Sequence, residues 1–208
     1  MIAPHADDET LGAGALIAEA AAENRLVAVA YLTDGAGSHP HESSSSRARL
    51  KAMRRVEAAK ACRLLGGQGS TPPVFLDWPD AGPLSPEAPA YKASVRRLAS
   101  LCRLRRADAI AVTASDEPHC DHAAAFALAV AVSRAALRPI AVFEYVVWSE
   151  VAPAGPVFTT RPMRSGQRRA ALAAHRSQMT PAFGDGFRLP ESQRAMAVQD
   201  RLYLKVRA

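Results

Sequence analysis

Two short clusters of histidine and aspartate are the residues of this chain best suited to chemistry. The first is segment 5–9, with the sequence His-Ala-Asp-Asp-Glu, and the second is segment 118–122, with the sequence Pro-His-Cys-Asp-His. Together they supply imidazole nitrogens and carboxylate oxygens, the mixed ligand set of hydrolytic zinc centres that keep one coordination position open for water. The sequence therefore predicts a metal site that activates water.

The first cluster contains two of the predicted ligands and a base. His5 and Asp8 are three residues apart, so both side chains can bind one metal if the segment forms a turn. Asp7 is then expected to point past the metal toward the bound water, whose proton a carboxylate can accept. We predict His5 and Asp8 as metal ligands and Asp7 as a general base.

The second cluster leads into the apolar stretch 123–132, which predicts a helix with Asp121 as its N-cap. His122 would lie in the first turn, where the positive end of the helix disfavours imidazolium and keeps the ring neutral for metal binding. His119, just outside the helix and next to Asp121, is free to carry a proton. We predict His122 as the third ligand and His119 as a general acid.

Strand patterns alternate with helical patterns along the chain. Runs rich in Val, Ile, Leu and aromatic residues predict buried strands, and they cover residues 26–33, 73–77, 108–113 and 140–148. Helical patterns cover residues 11–23, 47–65, 86–104 and 122–137. This alternation predicts an α/β fold of the Rossmann-like, three-layer type, with a mostly parallel sheet and helices on both faces.

The polar candidates follow the predicted strands. His5 follows the first strand, Asp34 the second, Asp80 the third, and segment 118–122 the fourth. Ligands of open parallel sheets bind in the crevice beyond the carboxyl ends of the strands. Independent surface residues would not be expected to gather at this one edge, so the pattern favours a functional site.

The first strand is unusually short. Only Met1 and Ile2 precede the Ala-Pro-His sequence, whereas a strand is typically about five residues long. We interpret this strand as truncated and expect the natural start of the chain to lie upstream of Met1.

Length and composition favour one packed domain. The 208 residues are 49% hydrophobic, and we expect residues 1–208 to form a single domain. The chain has 26 basic and 20 acidic residues, but the basic ones are scattered rather than gathered with aromatics, so no nucleic-acid partner is expected.

Three cysteines without a CxxC pair are typical of a reducing compartment, and no secretory signal or membrane-spanning apolar run is visible. We therefore expect a cytoplasmic enzyme with a small-molecule substrate; the sequence leaves a homo-oligomer open.

The two clusters resemble the hallmark of the LmbE-like or PIG-L family of zinc-dependent N-deacetylases, a His-Pro-Asp-Asp-Glu loop paired with a later His-Pro-Asp-His. Here they read His5-Ala6-Asp7-Asp8-Glu9 and His119-Cys120-Asp121-His122, so both prolines are replaced and every chemically active position matches. Proline stiffens a loop and binds no metal, so we expect the replacements to affect the rigidity of the loops more than the chemistry. The similarity covers about residues 2–180, and its weaker matches are Thr33-Asp34-Gly35, Arg54-Arg55-Val56-Glu57, Asp77-Trp78-Pro79-Asp80 and His175-Arg176-Ser177-Gln178.

The resemblance implies removal of an acetyl group from an N-acetylglucosamine-type conjugate by zinc-activated water. A site of two histidines and one aspartate also accepts Fe²⁺ or Co²⁺. The implied roles are zinc ligand for His5, Asp8 and His122, general base for Asp7, acid for His119 with support from Asp121, and substrate binding for Arg54 and Asp80.

Other classes of protein fit less well. Gly12-Ala13-Gly14 suggests a dinucleotide-binding loop, but Ile17 stands in the place of the third glycine of that fingerprint. The chain contains no Gly-x-Ser-x-Gly sequence of a serine hydrolase. Two alternatives stay open, namely an amidase for a non-sugar amide and a catalytically silent carbohydrate-binding protein of the same fold.

Overall fold

A computed structural model describes residues 1–40, 43–67 and 71–206. In these ranges strands and helices alternate over the first two thirds of the chain. The strands are β1 (Ile2–Ala3), β2 (Ala30–Thr33), β3 (Val74–Trp78), β4 (Ala109–Thr113), β5 (Ala141–Tyr145), β6 (Val157–Thr159) and β7 (Arg201–Val206). The helices are α1 (Asp8–Ala22), α2 (Ser44–Gly66), α3 (Pro89–Leu104), α4 (Cys120–Ala135), α5 (Gln167–Leu172) and α6 (Arg176–Met179).

The strands form two hydrogen-bonded sheets that meet at β1. The first sheet is parallel, in the order β1-β2-β3. In the second sheet β4 and β5 are parallel, and β7 pairs antiparallel with both β5 and β6. β1 contacts β4, so the parallel strands lie side by side in the order β3-β2-β1-β4-β5. The predicted α/β fold with a mostly parallel sheet is therefore confirmed.

Helices cover both faces of the sheet, because each apolar face of a parallel sheet must be buried against another layer. On one face α3 packs with α4, and on the other α1 packs with α2 and α5. The first core contains Leu32, Leu98, Val112, Leu128 and Val132, and the second contains Ile17, Tyr31, Ala58, Leu65 and Ala171. None of the helices in the described residues is long and apolar enough to cross a bilayer.

The structure differs from the sequence prediction mainly near the C-terminus. We predicted no strand after residue 148, but β6 and β7 extend the sheet there. β6 is an edge strand of three exposed residues, too short to give the apolar run that marks a buried parallel strand. β1 has two residues, in line with the short first strand expected from the sequence.

Gly12 allows α1 to lie close to the end of β5. A Cβ atom at this position would lie 2.3 Å from Cδ2 of Tyr145 and 2.9 Å from the carbonyl oxygen of Val146. The Tyr145 ring is fully buried and its hydroxyl donates to the Ile2 carbonyl at 3.1 Å, so it has little room to move. We expect Gly12→Ala to lower the free energy of unfolding by about 1–3 kcal/mol, measured by urea denaturation.

Gly14→Ala is the matched control, because it makes the same change two residues further along the same helix. The nearest atom to a Cβ there is Nη1 of Arg168 at 3.3 Å, the far end of a long side chain. We expect a clearly smaller loss than for Gly12→Ala. Equal losses in both variants would contradict the close packing of Gly12 against Tyr145.

Candidate active site

Both predicted clusters lie at the carboxyl-terminal edge of the sheet. His5 follows β1 directly, and the second cluster spans the end of the β4–α4 loop and the first turn of α4. Residues of both clusters line one cavity of about 510 Å³, a size typical of small-molecule sites. The cavity is lined by His5, Asp7, Asp8, Gly37, Ser38, Arg54, Asp80, Ala81, Pro118, His119, Trp148, Gln178 and Phe187.

Asp7 has a backbone conformation that few residues adopt. It is the N-cap of α1 and its φ is 143°, in the region that disfavours a side chain. Its amide donates to Oε2 of Glu9 at 2.8 Å, and His175 Nε2 lies 2.8 Å from the other oxygen of that carboxylate. Arg54 Nη2 lies 3.8 Å from Oδ1 of Asp7. A buried polar network therefore holds this strained residue beside the cavity, a feature that clusters at active sites.

Asp8 lies between the two histidines that were predicted to be ligands. Its Oδ2 is 3.2 Å from Nδ1 of His5 and 3.4 Å from Nε2 of His122. Two ligands bound tetrahedrally to one zinc ion at about 2.0–2.2 Å are separated by about 3.3–3.6 Å. The separation of Asp8 from each histidine therefore matches the distance between two ligands of one metal ion.

His122 is fully buried, and its ring fits the role of a ligand. Within the described residues, neither ring nitrogen has a hydrogen-bond partner. An imidazole without such partners in a protein interior is costly unless another interaction compensates. Nδ1 lies 3.5 Å from a carboxylate oxygen of Glu117, the arrangement that orients metal-binding histidines in proteins.

The geometry also brings together donors that were not predicted as ligands. In the described part of the chain, two sets of donor atoms lie within 4.8 Å of one another. One set is His5, His119 and His122, and the other is His5, Asp80, His119 and Asp121. The structure therefore contains a His/Asp cluster that is larger than the predicted ligand set, and neither of these sets includes Asp8.

The start of α4 differs from its prediction. The N-cap is His119, whose Nδ1 accepts the amide of Asp121 at 3.2 Å, so the prediction of Asp121 as N-cap was wrong. The carboxylate of Asp121 turns inward instead, where Oδ2 accepts the Ala81 amide at 2.8 Å and lies 3.1 Å from Nε2 of His5. Because Nδ1 of His119 is an acceptor, a neutral ring carries its proton on Nε2.

Asp121 lies closer to His5 than to His119, the residue it was predicted to support. Its Oδ2 is 3.8 Å from Nδ1 of His119, beyond hydrogen-bonding distance. Support of His119 by Asp121 stays a prediction.

Both side chains predicted to hold substrate line the cavity. Asp80 has Oδ1 3.3 Å from Nε2 of His5, and its Oδ2 accepts the Gly37 amide at 2.8 Å. Arg54 is buried and donates to the carbonyls of Gly35 and Ala6 at 2.9 and 2.8 Å. Arg54 therefore joins two loops of the site, and its binding of substrate stays a prediction.

The carboxylates around the histidines stabilise positive charge. Burial alone would lower the pKa of His5, but Asp121, Asp8 and Asp80 raise it well above its ordinary value. Burial likewise opposes protonation of His122, yet Asp8 and Glu117 raise its pKa to about 9. This point of the cavity therefore favours a cation, whether a proton or a metal ion.

The surroundings of Asp7 and His119 shift their pKa values in opposite directions, upward for Asp7 and downward for His119. Burial, with the negative charge of Asp8 adding to it, raises the pKa of Asp7 to about 7, although Arg54 opposes the shift. Burial and the nearby His5 lower the pKa of His119. The ring of His119 is therefore expected to be neutral in the resting site, with its Nε2–H available as a hydrogen-bond donor.

Sequence reasoning missed Glu117. Its carboxylate is buried, lies beside His122, and accepts the amides of Val147 and Trp148 at 2.6 and 3.0 Å. An acidic residue directly before the second cluster was the available signal.

We expect Glu117→Gln to weaken metal binding about 10–100-fold, because carboxylate partners orient ligand histidines and increase their basicity. Competition with a coloured chelator measures this affinity.

Glu144→Gln is a matched control for this prediction. Glu144 is also fully buried and accepts a backbone amide, that of Ser115 at 2.8 Å. Its other carboxylate oxygen lies 3.5 Å from Nζ of Lys205 instead of beside a histidine. We expect its substitution to leave metal affinity unchanged. Equal weakening by both variants would indicate a general loss of stability instead.

The sequence matches a known family over most of its length. Residues 1–133 match the profile of a family described as PIG-L, GlcNAc-PI de-N-acetylase. None of the curated proteins matches the chain in sequence.

Solved structures share the fold over nearly the whole chain. The conserved protein TT1542 from Thermus thermophilus is 25% identical, with coverage of 100% of this chain and 94% of that one and a TM-score of 0.66. N,N'-diacetylchitobiose deacetylase from Pyrococcus horikoshii is 22% identical, with coverage of 88% and 70% and a TM-score of 0.61. The zinc-inhibited form of teicoplanin deacetylase Orf2 is 18% identical, with coverage of 100% and 97% and a TM-score of 0.62. These similarities confirm the predicted Rossmann-like fold.

Proposed function

We propose that this chain, which belongs to the PIG-L family, is a metal-dependent hydrolase that removes the acetyl group from an N-acetylglucosamine-type substrate. The observation that carries the proposal is the position of Asp8 between His5 and His122, at the edge of a cavity of about 510 Å³. The family description supports deacetylation. The identity of the metal, the sugar nature of the substrate and the role of each residue belong to this proposal.

His5, Asp8 and His122 would hold the metal. When bound there, a divalent ion such as Zn²⁺ supplies an activated water molecule and polarises the acyl carbonyl of the substrate. The buried ring of His122, whose nitrogens have no hydrogen-bond partner among the described residues, and the distances of Asp8 from both histidines support this ligand set. Zn²⁺ is preferred on the family resemblance, and Fe²⁺ and Co²⁺ suit the same donors.

Asp7 is assigned the role of general base. Its carboxylate lines the cavity beside Asp8. Nη2 of Arg54, which lines the same cavity, lies 3.8 Å from Oδ1 of Asp7. In this position it accepts a proton from the attacking water, while the network around Glu9 keeps its backbone in the required conformation. Proton transfer by a positioned side chain typically contributes about 10²–10⁴-fold to a rate.

His119 is assigned to the leaving amine. Its Nδ1 accepts a backbone amide, so the neutral ring presents an N–H at Nε2. This group can donate a hydrogen bond to the reacting amide. It can give its proton to the departing nitrogen once Nδ1 has received the proton taken from water by Asp7, a step in which Nδ1 exchanges its hydrogen bond from the Asp121 amide for that proton. His5 lies edge-on to the His119 ring, with 4.7 Å between ring centroids, which limits how the ring can turn.

The polar rim of the cavity suits a substrate rich in hydroxyls. Asp80 accepts hydrogen bonds, and Ser38 and Gln178 line the same rim. The deacetylase from Pyrococcus horikoshii has N,N'-diacetylchitobiose, an acetylated amino sugar, in its name. For this chain we therefore propose a small acetylated sugar conjugate as the substrate.

A panel of acetylated compounds tests the proposal. Acetate release would be measured with N,N'-diacetylchitobiose, methyl N-acetylglucosaminide and a non-sugar amide such as N-acetylphenylalanine amide. Release from the sugars supports the proposal. Release from the non-sugar amide alone would favour the alternative amidase, and sugar binding without release would favour the silent binding protein. Because one relative is described in a zinc-inhibited form, metal would be added at no more than one equivalent.

A further inference from the structure

Part of the cavity wall is apolar and has no role in the proposed chemistry. Pro118, Trp148 and Phe187 line the cavity. The rings of Trp148 and Phe187 meet edge to face, with 6.1 Å between centroids and 85° between planes. Phe187 is 40% exposed and Trp148 is half-buried. We call these three residues the aromatic wall.

Hydrogen bonds fix the backbone of the aromatic wall to both sides of the site. The Trp148 amide donates to both oxygens of Glu117 at 3.1 and 3.0 Å, and Glu117 in turn lies beside His122. The Phe187 amide donates to the carbonyl of Ser38 at 2.7 Å. Two aromatic rings on anchored backbone form a preorganised surface, which loses little conformational entropy when a ligand binds.

The position of the aromatic wall indicates which part of a substrate it meets. Pro118 directly precedes His119, and Trp148 is held by Glu117 from the same loop. The Pro118 and Trp148 part of the wall therefore lies on the side of the cavity that carries His119, the residue assigned to the leaving amine. In a 2-acetamido sugar the amine-bearing carbon lies between the anomeric carbon and C3. The anomeric carbon is the one that carries the rest of a sugar conjugate, so its substituent is the group that we place against this wall.

We propose that the aromatic wall is a binding subsite for an apolar ring carried on the anomeric carbon of the substrate, such as an aryl aglycone. This inference rests on the proposed function, because that function orients the substrate. Aromatic faces and edges attract a further ring in stacked or edge-to-face geometry. The subsite would select among N-acetylglucosamine conjugates by the apolar group attached to the sugar.

Intrinsic fluorescence offers a direct readout, because the chain has two tryptophans. Trp148 lines the cavity, whereas Trp78 is 2% exposed and donates to Ser94 in the core. The probes are the phenyl and methyl glycosides of glucosamine, which carry no acetyl group and therefore cannot be turned over. Binding of the phenyl glycoside is followed by the change in Trp148 emission, and the methyl glycoside by competition. A Trp78→Phe variant confirms the origin of the signal.

We expect the phenyl glycoside to bind about tenfold more tightly than the methyl glycoside, the size of effect that contact with one aromatic ring supplies. The preference should be lost in Phe187→Ala, with binding followed through Trp148, and in Trp148→Ala, followed by calorimetry. Phe158→Ala is the matched control, since Phe158 is 49% exposed but lies on the edge strand β6, and it should keep the preference. Trp148→Phe keeps a ring at this position and should retain most of it.

The same affinity for both glycosides in the wild type would overturn the subsite, and so would a preference that survives in Phe187→Ala. Acetate release from the matching N-acetylated glycosides is measured in parallel. If neither glycoside is deacetylated, the proposed function fails for these sugars, while the fluorescence titration still decides the subsite. If both are deacetylated without a difference in binding, the proposed function stands and the subsite fails.

Discussion

His122→Ala is expected to remove the bound metal and to lower the deacetylation rate by about 10³-fold or more, because without the ion the pKa of the attacking water returns from about 7 toward its bulk value of about 15.7. His122 is fully buried, lies 3.4 Å from Asp8, and has no hydrogen-bond partner for either ring nitrogen among the described residues. Metal content by mass spectrometry and acetate release measure the two effects.

His119→Ala is the matched control, because it removes the same kind of side chain from the same cluster. His119 is assigned to proton transfer, so this variant should keep its metal and lose about 10²–10⁴-fold in rate. The reverse result, metal lost with His119 and kept with His122, would contradict the ligand assignment. It would favour the donor set of His5, Asp80, His119 and Asp121.

A folding control accompanies the His122 variant. Removal of a buried ring leaves a cavity, which by itself destabilises a protein. Circular dichroism and thermal unfolding would show whether His122→Ala is folded at the assay temperature. A folded variant that retains wild-type metal content would contradict the role of His122 as a ligand.

Asp7→Asn is expected to lower the rate about 10²–10⁴-fold while metal content stays at the wild-type level. Asparagine has nearly the same shape as aspartate, so we expect the contacts that hold the backbone at φ 143° to be preserved. The amide cannot accept a proton from water as a carboxylate does. Acetate release and metal analysis of the same preparation separate the loss of the base from the loss of the ion.

Asp77→Asn is the control for this substitution. Asp77 also has a positive φ, of 59°, but its side chain pairs with Arg55 outside the main cavity. Its replacement should leave both rate and metal content unchanged. An Asp7→Asn variant that keeps the wild-type rate would contradict the assignment of Asp7 as the base.

The central fold was predictable because its signals are local. The apolar runs that became β2 to β5 and the periodic segments that became α1 to α4 each contain their own pattern. The position of the site followed from a general property of parallel sheets, that the carboxyl ends of the strands meet at one edge. The strands β6 and β7 were missed because β6 is a short exposed edge strand, β7 is only partly buried, and the pairing of both depends on distant partners.

The details of the site depend on contacts that no local pattern encodes. Glu9 meets His175, 166 residues away, and this pair holds the backbone of Asp7. The Glu117 carboxylate is held beside His122 by the amides of Val147 and Trp148, which follow β5. The N-cap of α4 was predicted wrongly because Asp121 has a stronger set of partners inside the site, the amide of Ala81 and the ring of His5. Sequence reasoning therefore predicted that the two clusters meet at one edge of the sheet, but it did not find the Glu117 carboxylate or the contacts of Glu9 and Asp121.

The most direct test of a metal-dependent deacetylase is acetate release by one preparation before chelation, after chelation, and after one equivalent of Zn²⁺ is returned. We predict release from an N-acetylglucosamine conjugate, loss of that release on chelation, and recovery with the added ion in the wild type but not in His122→Ala. Release that is unaffected by complete removal of the metal would contradict the proposed metal dependence.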